Sequence, residues 1–193
     1  MSSVAQTSTV RGLMSRMRLA PLRIPEDMGT VHSWVRQDYA RFWGMHGLSL
    51  EQVTEGYREI VAPADVEAFL GHFDDAAAFL IETYHPSLAP FAGHYDAAAS
   101  DRGMHVLVAP PDRPIRGFTR AVFCTVMDFL FDDAQVRRVV VEPDARNDKI
   151  RALNRFAGFV ELKEIDIEAT ATAPGKRAML SICTREAYAG ARP

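Results

Sequence analysis

A strand–helix–strand pattern of apolar residues is the clearest feature of this chain. Residues 104–109 are almost continuously apolar, and residues 137–142 contain three consecutive valines. Between them, apolar residues recur at helical spacing after Gly117. Strands joined by a helical crossover of this length lie parallel, because a hairpin needs only a short turn. The pattern therefore predicts a parallel strand pair with a helix packed over it.

The remaining periodicity predicts further strands and helices around this unit. Apolar alternation predicts strands at 18–24, 66–73, 77–84, 160–169 and 176–184, and helical spacing predicts helices at 25–38, 49–61 and 148–157. Residues 85–102 form a loop rich in proline and small residues, and Pro174-Gly175 forms a turn. We expect one mixed α/β domain over residues 16–193, preceded by a disordered tail at 1–15. No internal repeat or linker divides it.

Composition narrows the possible functions. The 193 residues are 48% hydrophobic and 24% charged, which is typical of a soluble globular protein. A net charge of −3 with scattered Lys and Arg does not favour a nucleic-acid partner. No apolar run approaches the ~20 residues of a membrane span. Cys124 and Cys183 are interpreted as core thiols in a reducing cytoplasm. No Cys or His pair shows metal-ligand spacing, so no metal is expected.

The segment between the first strand and its helix has the composition of an anion site. Arg116-Gly117 precedes the helix, and Thr119 and Ala121 are small residues in its first turn. Small residues let the backbone approach a phosphate, and free N–H groups at a helix start donate to it. Arg116 and Arg120 can add charge-assisted bonds. The alternative is a plain turn with two solvated arginines.

Each strand of the pair also carries one titratable residue. His105 lies in an apolar strand, where a histidine is either a hydrogen-bonded core residue or a base. Glu142 ends the neighbouring strand, so its carboxylate can orient the imidazole and raise its pKa. Glu142 is itself either catalytic, an orienting group, or a partner of Arg146. The prediction is an acid–base pair beside an anion site.

These residues resemble the GNAT acyltransferase superfamily. Its pyrophosphate motif, Arg/Gln-Gly-x-Gly-x-Gly/Ala, is matched by Arg116, Gly117 and Ala121, with Thr119 at the middle glycine. The resemblance implies a GNAT-like domain with a mixed central sheet, a β-α-β acyl-CoA-binding core and flanking helices. The residues that it assigns to acyl-CoA are Val108, Arg116, Gly117, Phe118, Thr119, Arg120, Ala121 and Asn147. Asn147 is also a candidate cap for the following helix.

Two further sequence motifs narrow the resemblance to one branch of this superfamily. Gly103-Met104-His105 and Glu142-Pro143-Asp144-x-Arg146-Asn147 look like the acyltransferases of aerobactin, alcaligin, desferrioxamine and mycobactin biosynthesis. The resemblance runs from about Arg18 to the C-terminus. It implies transfer of an acyl group from CoA to the nitrogen of a lysine, ornithine or diamine side chain, often N-hydroxylated. It places catalysis on His105 and Glu142.

The acceptor side is less defined by the sequence. Trp43 is a candidate pocket residue, and His94, Asp96 and Asp101 are candidate acceptor contacts on the loop before the histidine strand. The aspartates suit a cationic acceptor but are equally typical of solvated loop residues.

The predicted activity is direct N-acylation by a cytoplasmic monomer or homodimer. Acetyl-CoA or succinyl-CoA is the donor, a small amine or hydroxylamine is the acceptor, and His105 with Glu142 is the acid–base pair. A hydroxylamine arrives unprotonated, so a base with an ordinary pKa of about 6.5 suffices. Two alternatives stay open: another GNAT N-acetyltransferase with an aminoglycoside or small-amine acceptor, and a non-catalytic acyl-CoA-binding regulator.

Overall fold

The computed structural model describes residues 2–110, 113–169 and 175–193, with side chains from residue 7 onward. Its helices are α1 (Ser2–Met14), α2 (Met28–Val35), α3 (Leu50–Ile60), α4 (Phe118–Asp132), α5 (Asp148–Phe156) and α6 (Arg185–Ala191). Its strands are β1 (Met17–Pro21), β2 (Val66–Phe73), β3 (Ala76–Tyr84), β4 (Asp101–Val108), β5 (Arg138–Val141), β6 (Val160–Ile167) and β7 (Lys176–Thr184). Short 3₁₀ helices cover Asp38–Trp43, Pro86–Leu88 and Ala92–His94.

The strands form one mixed sheet. Its order is β1-β2-β3-β4-β5-β7-β6, and β4 and β5 are parallel while the other neighbours are antiparallel. The predicted parallel pair is therefore confirmed, and α4 is the helix that connects it. The predicted single α/β domain with a mixed central sheet is confirmed as well.

The parallel pair separates partway along its length. β4 pairs with β5 from Asp101↔Arg138 to Gly103↔Val140, and then runs on to Val108 with no further β5 pair among the described residues. On its other side, β4 stays paired with β3 as far as Val108. The sheet is thus continuous on one side of His105 and open on the other.

Alternate residues of β4 contact the two layers that cover the sheet. Met104, Val106 and Val108 pack with the core around α4, whereas Leu107 packs with the core around α2 and α3. Side chains on a strand alternate between faces, so His105 lies on the α2–α3 face with Leu107. The turn at the start of α4 belongs to the opposite layer. The opening between β4 and β5 therefore lies between that turn and His105.

Several element boundaries differ from the sequence predictions. The predicted strand 18–24 ends at Pro21, and the helix after it begins at Met28 rather than at residue 25. The capping box at Ser49 is confirmed and starts α3. The C-terminal helix α6 was not predicted, and Pro174 of the predicted Pro174-Gly175 turn lies outside the described residues.

The N-terminal segment is a helix rather than the disordered tail expected over residues 1–15. Val10 and Leu13 of α1 are buried against Ala121 and Cys124 of α4. Residues three and four apart lie on one face of a helix, so this short apolar stripe is enough to dock α1. The expectation of a disordered tail was therefore wrong for the helical residues Ser2–Met14. Cys124 and Cys183 are buried free thiols, as expected.

Candidate active site

His105 lies opposite a carboxylate that the sequence analysis did not select. In the antiparallel pair of β3 and β4, Glu82 is the cross-strand partner of His105, and both side chains lie on the α2–α3 face. Directly opposite side chains in such a pair are close enough to interact. The Nδ1 atom of His105 lies 2.9 Å from Oε2 of Glu82.

The second ring nitrogen of His105 faces Glu142, as the sequence predicts. The distance from Nε2 to Oε1 of Glu142 is 3.2 Å across the opening between β4 and β5. Glu142 directly follows β5 and is only 6% exposed, while the His105 side chain is 42% exposed. The imidazole therefore lies between two buried carboxylates and stays open to solvent along one side.

Tyr84 fixes the position of Glu142 from the adjacent strand. Its hydroxyl donates to Oε2 of Glu142 at 3.0 Å, and its ring lies 5.0 Å from that of His105. Tyr84 is paired across the sheet with Gly103, where an added Cβ would lie only 2.1 Å from a ring carbon. Gly103 is thus the residue that lets the Tyr84 ring lie over the backbone beside His105.

Lys176 at the start of β7 also holds Glu142. Its Nζ donates to Oε1 of Glu142 at 3.2 Å. The considered pairing of Glu142 with Arg146 does not occur. Arg146 instead donates to both carboxylate oxygens of Asp144, at 2.9 and 2.7 Å.

The site's pKa values follow from these contacts. Burial opposes the charge on His105, but its hydrogen bonds and Coulombic attraction to Glu142 and Glu82 raise its pKa to about 9. Burial likewise disfavours the Glu142 carboxylate, yet His105 and then Lys176 lower its pKa to about 2. The resting site at neutral pH is therefore an imidazolium held between two carboxylates. Each ring nitrogen of His105 faces a carboxylate oxygen and can donate a hydrogen bond to it only when that nitrogen carries a proton. The imidazolium, protonated on both nitrogens, is therefore the form that makes both hydrogen bonds.

Trp43 lies against the histidine, as expected for a pocket residue. It ends the 3₁₀ helix Asp38–Trp43, and its ring meets that of His105 edge-on at 6.2 Å between centroids. Its Nε1 donates to the hydroxyl of Tyr57 at 3.1 Å. Tyr57, on α3, in turn donates to Oε1 of Glu82 at 2.8 Å. Two hydrogen bonds thus connect Trp43, through Tyr57, to the Glu82 carboxylate beside His105.

The turn before α4 has the geometry that an anion site needs. Gly117 is the N-cap residue with φ of 82°, a conformation that suits glycine, and the N–H of Ala121 donates to its carbonyl at 2.9 Å. Arg116 is exposed, while Arg120 lies over the Phe156 ring, 4.6 Å from its centroid. The Phe118 and Ala121 side chains are buried, so these residues offer a ligand their backbone, together with Thr119.

Asp101 is not placed to bind an acceptor. It is fully buried, and both of its carboxylate oxygens accept from Arg138, at 2.7 and 2.8 Å. The prediction of a substrate contact there was wrong, because this carboxylate anchors the loop to β5. Asp96 is exposed on that loop and His94 ends a 3₁₀ helix, and no described contact joins either to His105. Asn147 caps α5 by accepting from the N–H of Ile150, as one of its predicted roles required.

Glu82, Tyr84, Tyr57 and Lys176 are the site residues that sequence reasoning missed. A signal for the first two was present, because Glu82 and Tyr84 share one face of a strand that is otherwise mostly apolar and buried. A lone carboxylate in such a strand needs a partner. Nothing in the sequence marks Tyr57 or Lys176, since α3 and β7 reach the site only through the tertiary fold.

Comparisons with known proteins identify the family. A family model described as an acetyltransferase (GNAT) domain matches residues 23–167. The chain belongs to the GNAT acetyltransferase family. The resemblance drawn from the phosphate-binding turn and the two strings around His105 and Glu142 is confirmed at this level.

Three curated relatives are named as a transacylase, an N-acyltransferase and an acetyltransferase. The chain is 32% identical over 164 residues to an N(5)-hydroxyornithine:cis-anhydromevalonyl coenzyme A-N(5)-transacylase of Beauveria bassiana, covering 83% of this chain and 34% of that protein. It is 31% identical over 99 residues to the lysine N-acyltransferase MbtK of a Mycobacterium species, covering 51% and 41%. It is 26% identical over 171 residues to an N-hydroxyputrescine acetyltransferase of Acinetobacter baumannii, covering 86% and 76%. The chain thus spans well under half the length of the first two.

Solved structures share the GNAT fold. An uncharacterized protein from Bacillus halodurans superposes with a TM-score of 0.81 at 19% identity, covering 91% of this chain and 87% of that one. Aminoglycoside acetyltransferase AAC(6')-Ib in complex with Parmomycin and AcetylCoA has a TM-score of 0.76 at 19% identity, covering 92% and 98%. At these identities the likeness establishes the fold alone.

Among the described helices, none is long and apolar enough to cross a membrane.

Proposed function

We propose that this GNAT protein is an acyl-CoA-dependent N-acyltransferase of siderophore biosynthesis. It transfers an acyl group, acetyl or succinyl, to the nitrogen of an N-hydroxylated diamine, lysine or ornithine side chain, and the product is a hydroxamate. The observation that carries the proposal is His105, held between Glu82 and Glu142 where β4 and β5 separate. Here a histidine–carboxylate pair lies at an opening that leads to the α4 layer.

The opening between the strands supports acyl-CoA as donor. The turn at Arg116–Gly117 offers N–H groups and a cation to the phosphates in the α4 layer. The stretch of β4 from Met104 to Val108 has no β5 partner among the described residues. Its N–H groups on that side are available to the thioester arm and to the oxyanion that develops on the carbonyl.

The state of the carboxylates supports a neutral nucleophile. Glu82, Glu142 and Asp144 are buried, and each already accepts hydrogen bonds from cationic or hydroxyl partners. None is left free to bind an incoming ammonium group. A hydroxylamine nitrogen needs no such partner, because it is already unprotonated at neutral pH.

The proton balance of the reaction fits the pair. The nitrogen attacks the thioester carbon, a C–N bond forms, and the nitrogen loses its proton to the Glu142 carboxylate. The C–S bond then breaks, and the CoA thiolate takes the proton from Nε2 of His105. The pKa of His105, about 9, is close to that of a thiol, about 8.5, so this transfer is nearly balanced in energy. Passing the Glu142 proton to Nε2 across their hydrogen bond restores the site.

The test is CoA release over a grid of donors and acceptors. Acetyl-CoA and succinyl-CoA are assayed against putrescine, cadaverine, lysine and ornithine, each with its side-chain N-hydroxy form. We expect the N-hydroxy compounds to react faster at neutral pH, and the products to form coloured ferric complexes. A site that bonds the extra hydroxyl loses rate when that group is missing.

Other outcomes of the same grid contradict the proposal in different ways. Equal or faster acylation of the plain amines places the enzyme before hydroxylation. Activity on aminoglycosides alone removes the siderophore assignment and leaves the acyltransferase activity. Binding of acyl-CoA with no turnover on any acceptor favours the regulator.

A further inference from the structure

A chain of hydrogen-bonded side chains leads away from His105 into the core between α3 and the sheet. It runs from Trp43 Nε1 to the Tyr57 hydroxyl at 3.1 Å, and from that hydroxyl to Oε1 of Glu82 at 2.8 Å. From Oε2 of Glu82 it continues to Nδ1 of His105 at 2.9 Å. Tyr57 is fully buried and Glu82 is 7% exposed, so the two middle members are shielded from water, while Trp43 is half-buried.

The direction of each hydrogen bond is fixed by Trp43 and Glu82, because an indole N–H only donates and a carboxylate only accepts. The Tyr57 oxygen therefore accepts from Trp43. The single hydroxyl proton of Tyr57 is then left for Glu82. Burial and the Glu82 carboxylate raise the pKa of Tyr57 well above its ordinary value, which keeps that proton in place. Glu82, as a carboxylate, accepts on both oxygens, and its second donor is Nδ1–H of His105.

We propose that Trp43, Tyr57 and Glu82 are positioning residues that keep Nδ1 of His105 protonated and so confine its proton exchange to Nε2. The proposal rests on the N-acyltransferase function for its kinetic consequence and on geometry alone for the state of the ring. Nε2 faces Glu142 at 3.2 Å and the Tyr84 hydroxyl at 3.3 Å, on the open side of the site. A ring whose other nitrogen is held by a hydrogen bond presents one defined nitrogen to the reaction.

Burial explains why the chain has a functional rather than only a packing role. A carboxylate among the apolar residues of the α2–α3 core costs free energy unless it is bonded to charge or to good donors. Packing alone would be served by an apolar residue at position 82, as at Leu80 on the same face of β3. Glu82 instead places its negative charge beside Nδ1 of His105, the ring nitrogen that points away from the opening between β4 and β5.

The state of the ring is measured directly by two-bond ¹H–¹⁵N correlation of histidine-labelled protein. In the wild type we expect His105 to lose its proton from Nε2 on titration, leaving the Nδ1–H tautomer. In Glu82→Gln the midpoint of the His105 titration should fall by about 1–3 pH units, because the negative charge beside the imidazolium has been removed. In Tyr57→Phe the Glu82 carboxylate keeps its charge and still accepts from Nδ1–H, but it loses one of the hydrogen bonds that hold it in place. The Nδ1–H tautomer should therefore persist, and the midpoint should fall by less than in Glu82→Gln.

Matched substitutions separate this effect from loss of packing. Tyr188→Phe removes a buried tyrosine hydroxyl that donates to Asp128 on the far side of the molecule. Trp34→Phe changes a buried tryptophan of the α2–α3 core, for comparison with Trp43→Phe. Both controls should leave the His105 titration unchanged. Trp43→Phe should shift the midpoint of the His105 titration less than Tyr57→Phe does, since it acts one hydrogen bond further away.

Kinetics give the second readout. Glu82→Gln should move the pH dependence of kcat to lower pH, with little change in KM for acyl-CoA, and Glu82→Asp should restore part of the wild-type profile. An unchanged titration and tautomer in both Glu82→Gln and Tyr57→Phe overturns the proposal. If the ring signals move as expected but the wild type acylates no acceptor, the N-acyltransferase function is wrong and the positioning of His105 stands.

Discussion

At the residue scale, His105 is defined by what its two nitrogens face. Two carboxylates hold the ring, and their combined effect makes it an imidazolium in the resting protein. An ordinary histidine would be mostly neutral at pH 7 and would serve as a base. The structure changes this expectation. In the proposed reaction His105 therefore begins the cycle as an acid, and Glu142 accepts the first proton.

Replacing the histidine should therefore reduce turnover and leave donor binding intact. His105→Gln cannot exchange a proton, and we expect kcat to fall by about 10²–10⁴-fold with KM for acyl-CoA nearly unchanged. His85→Gln, at a loop histidine that bonds Ser87, is the control and should retain activity. A folded His105→Gln enzyme with near wild-type turnover at neutral and alkaline pH removes His105 from the mechanism.

Replacing the carboxylate separates two roles for Glu142. Glu142→Gln keeps the shape but removes the charge that His105 and Lys176 share. If Glu142 accepts the proton of the nucleophile, kcat should fall as far as in His105→Gln. A clearly smaller loss, measured in the same steady-state assay, would show that Glu142 only orients the ring.

At the scale of elements, the parallel pair of β4 and β5 and the start of α4 set where each substrate binds. The strands hold together up to Gly103 and then separate, so the acid–base pair lies at the point of divergence. Antiparallel β3 supplies Glu82 and Tyr84 from the intact side. The start of α4 supplies the anion turn on the other layer. In the proposed reaction, donor and acceptor therefore approach His105 from opposite faces of the sheet.

The anion turn yields a binding prediction. Arg116→Ala should weaken acyl-CoA binding by about tenfold or more, because a charge-assisted bond contributes about 1.5–3 kcal/mol. Arg58→Ala, at an exposed arginine of α3 paired with Glu55, is the control and should bind normally. Isothermal titration calorimetry with CoA measures both. Equal affinities in the two variants would show that this turn is not the phosphate site.

The close approach of Tyr84 to Gly103 yields a stability prediction. Gly103→Ala places a Cβ into the Tyr84 ring, and we expect the free energy of unfolding to fall by about 1–3 kcal/mol. Gly29→Ala in α2, where no atom lies within 4 Å of an added Cβ, should stabilise the protein by about 0.5–1 kcal/mol. Urea unfolding compares the two. A neutral Gly103→Ala would mean that the Tyr84 ring moves aside freely, and its bond to Glu142 should then be lost too.

At the scale of the whole molecule, the paired charges of the site link stability to pH. The pKa of His105 is raised to about 9, so its contribution is fully present below about 6.5 and is lost as the pH rises toward 9. The pKa of Glu142 is lowered to about 2, so its contribution is present above about 4.5 and is lost as the pH falls toward 2. The two groups together favour the folded state most between these limits.

This linkage is tested by the difference between two proteins. The free energy of unfolding of wild type minus that of His105→Gln should decrease between about pH 6.5 and 9, and be constant just below that range. The buried thiols also affect alkaline stability, but they are common to both proteins and cancel in the difference. A constant difference across the whole range would mean that His105 titrates normally in the folded state.

The sequence by itself determined the elements, the parallel pair, the turn at Gly117 and the positions of His105 and Glu142. These follow from local rules: hydrophobic period, capping chemistry and the handedness of strand–helix–strand units. The GNAT family follows from strings of residues that are contiguous in the chain. The spacing of Val10 and Leu13 is also local, but the surface of α4 that buries them is not visible in the sequence.

Only the tertiary structure decided the partners. Glu82 meets His105 through the register of two antiparallel strands, and Tyr57 and Lys176 reach the site from elements distant in the chain. The same long-range pairing took Asp101 away from the acceptor and gave it to Arg138. Charge and protonation depend on distance and burial, which no one-dimensional pattern contains. The sequence therefore named the histidine, and the fold placed it between two carboxylates that raise its pKa.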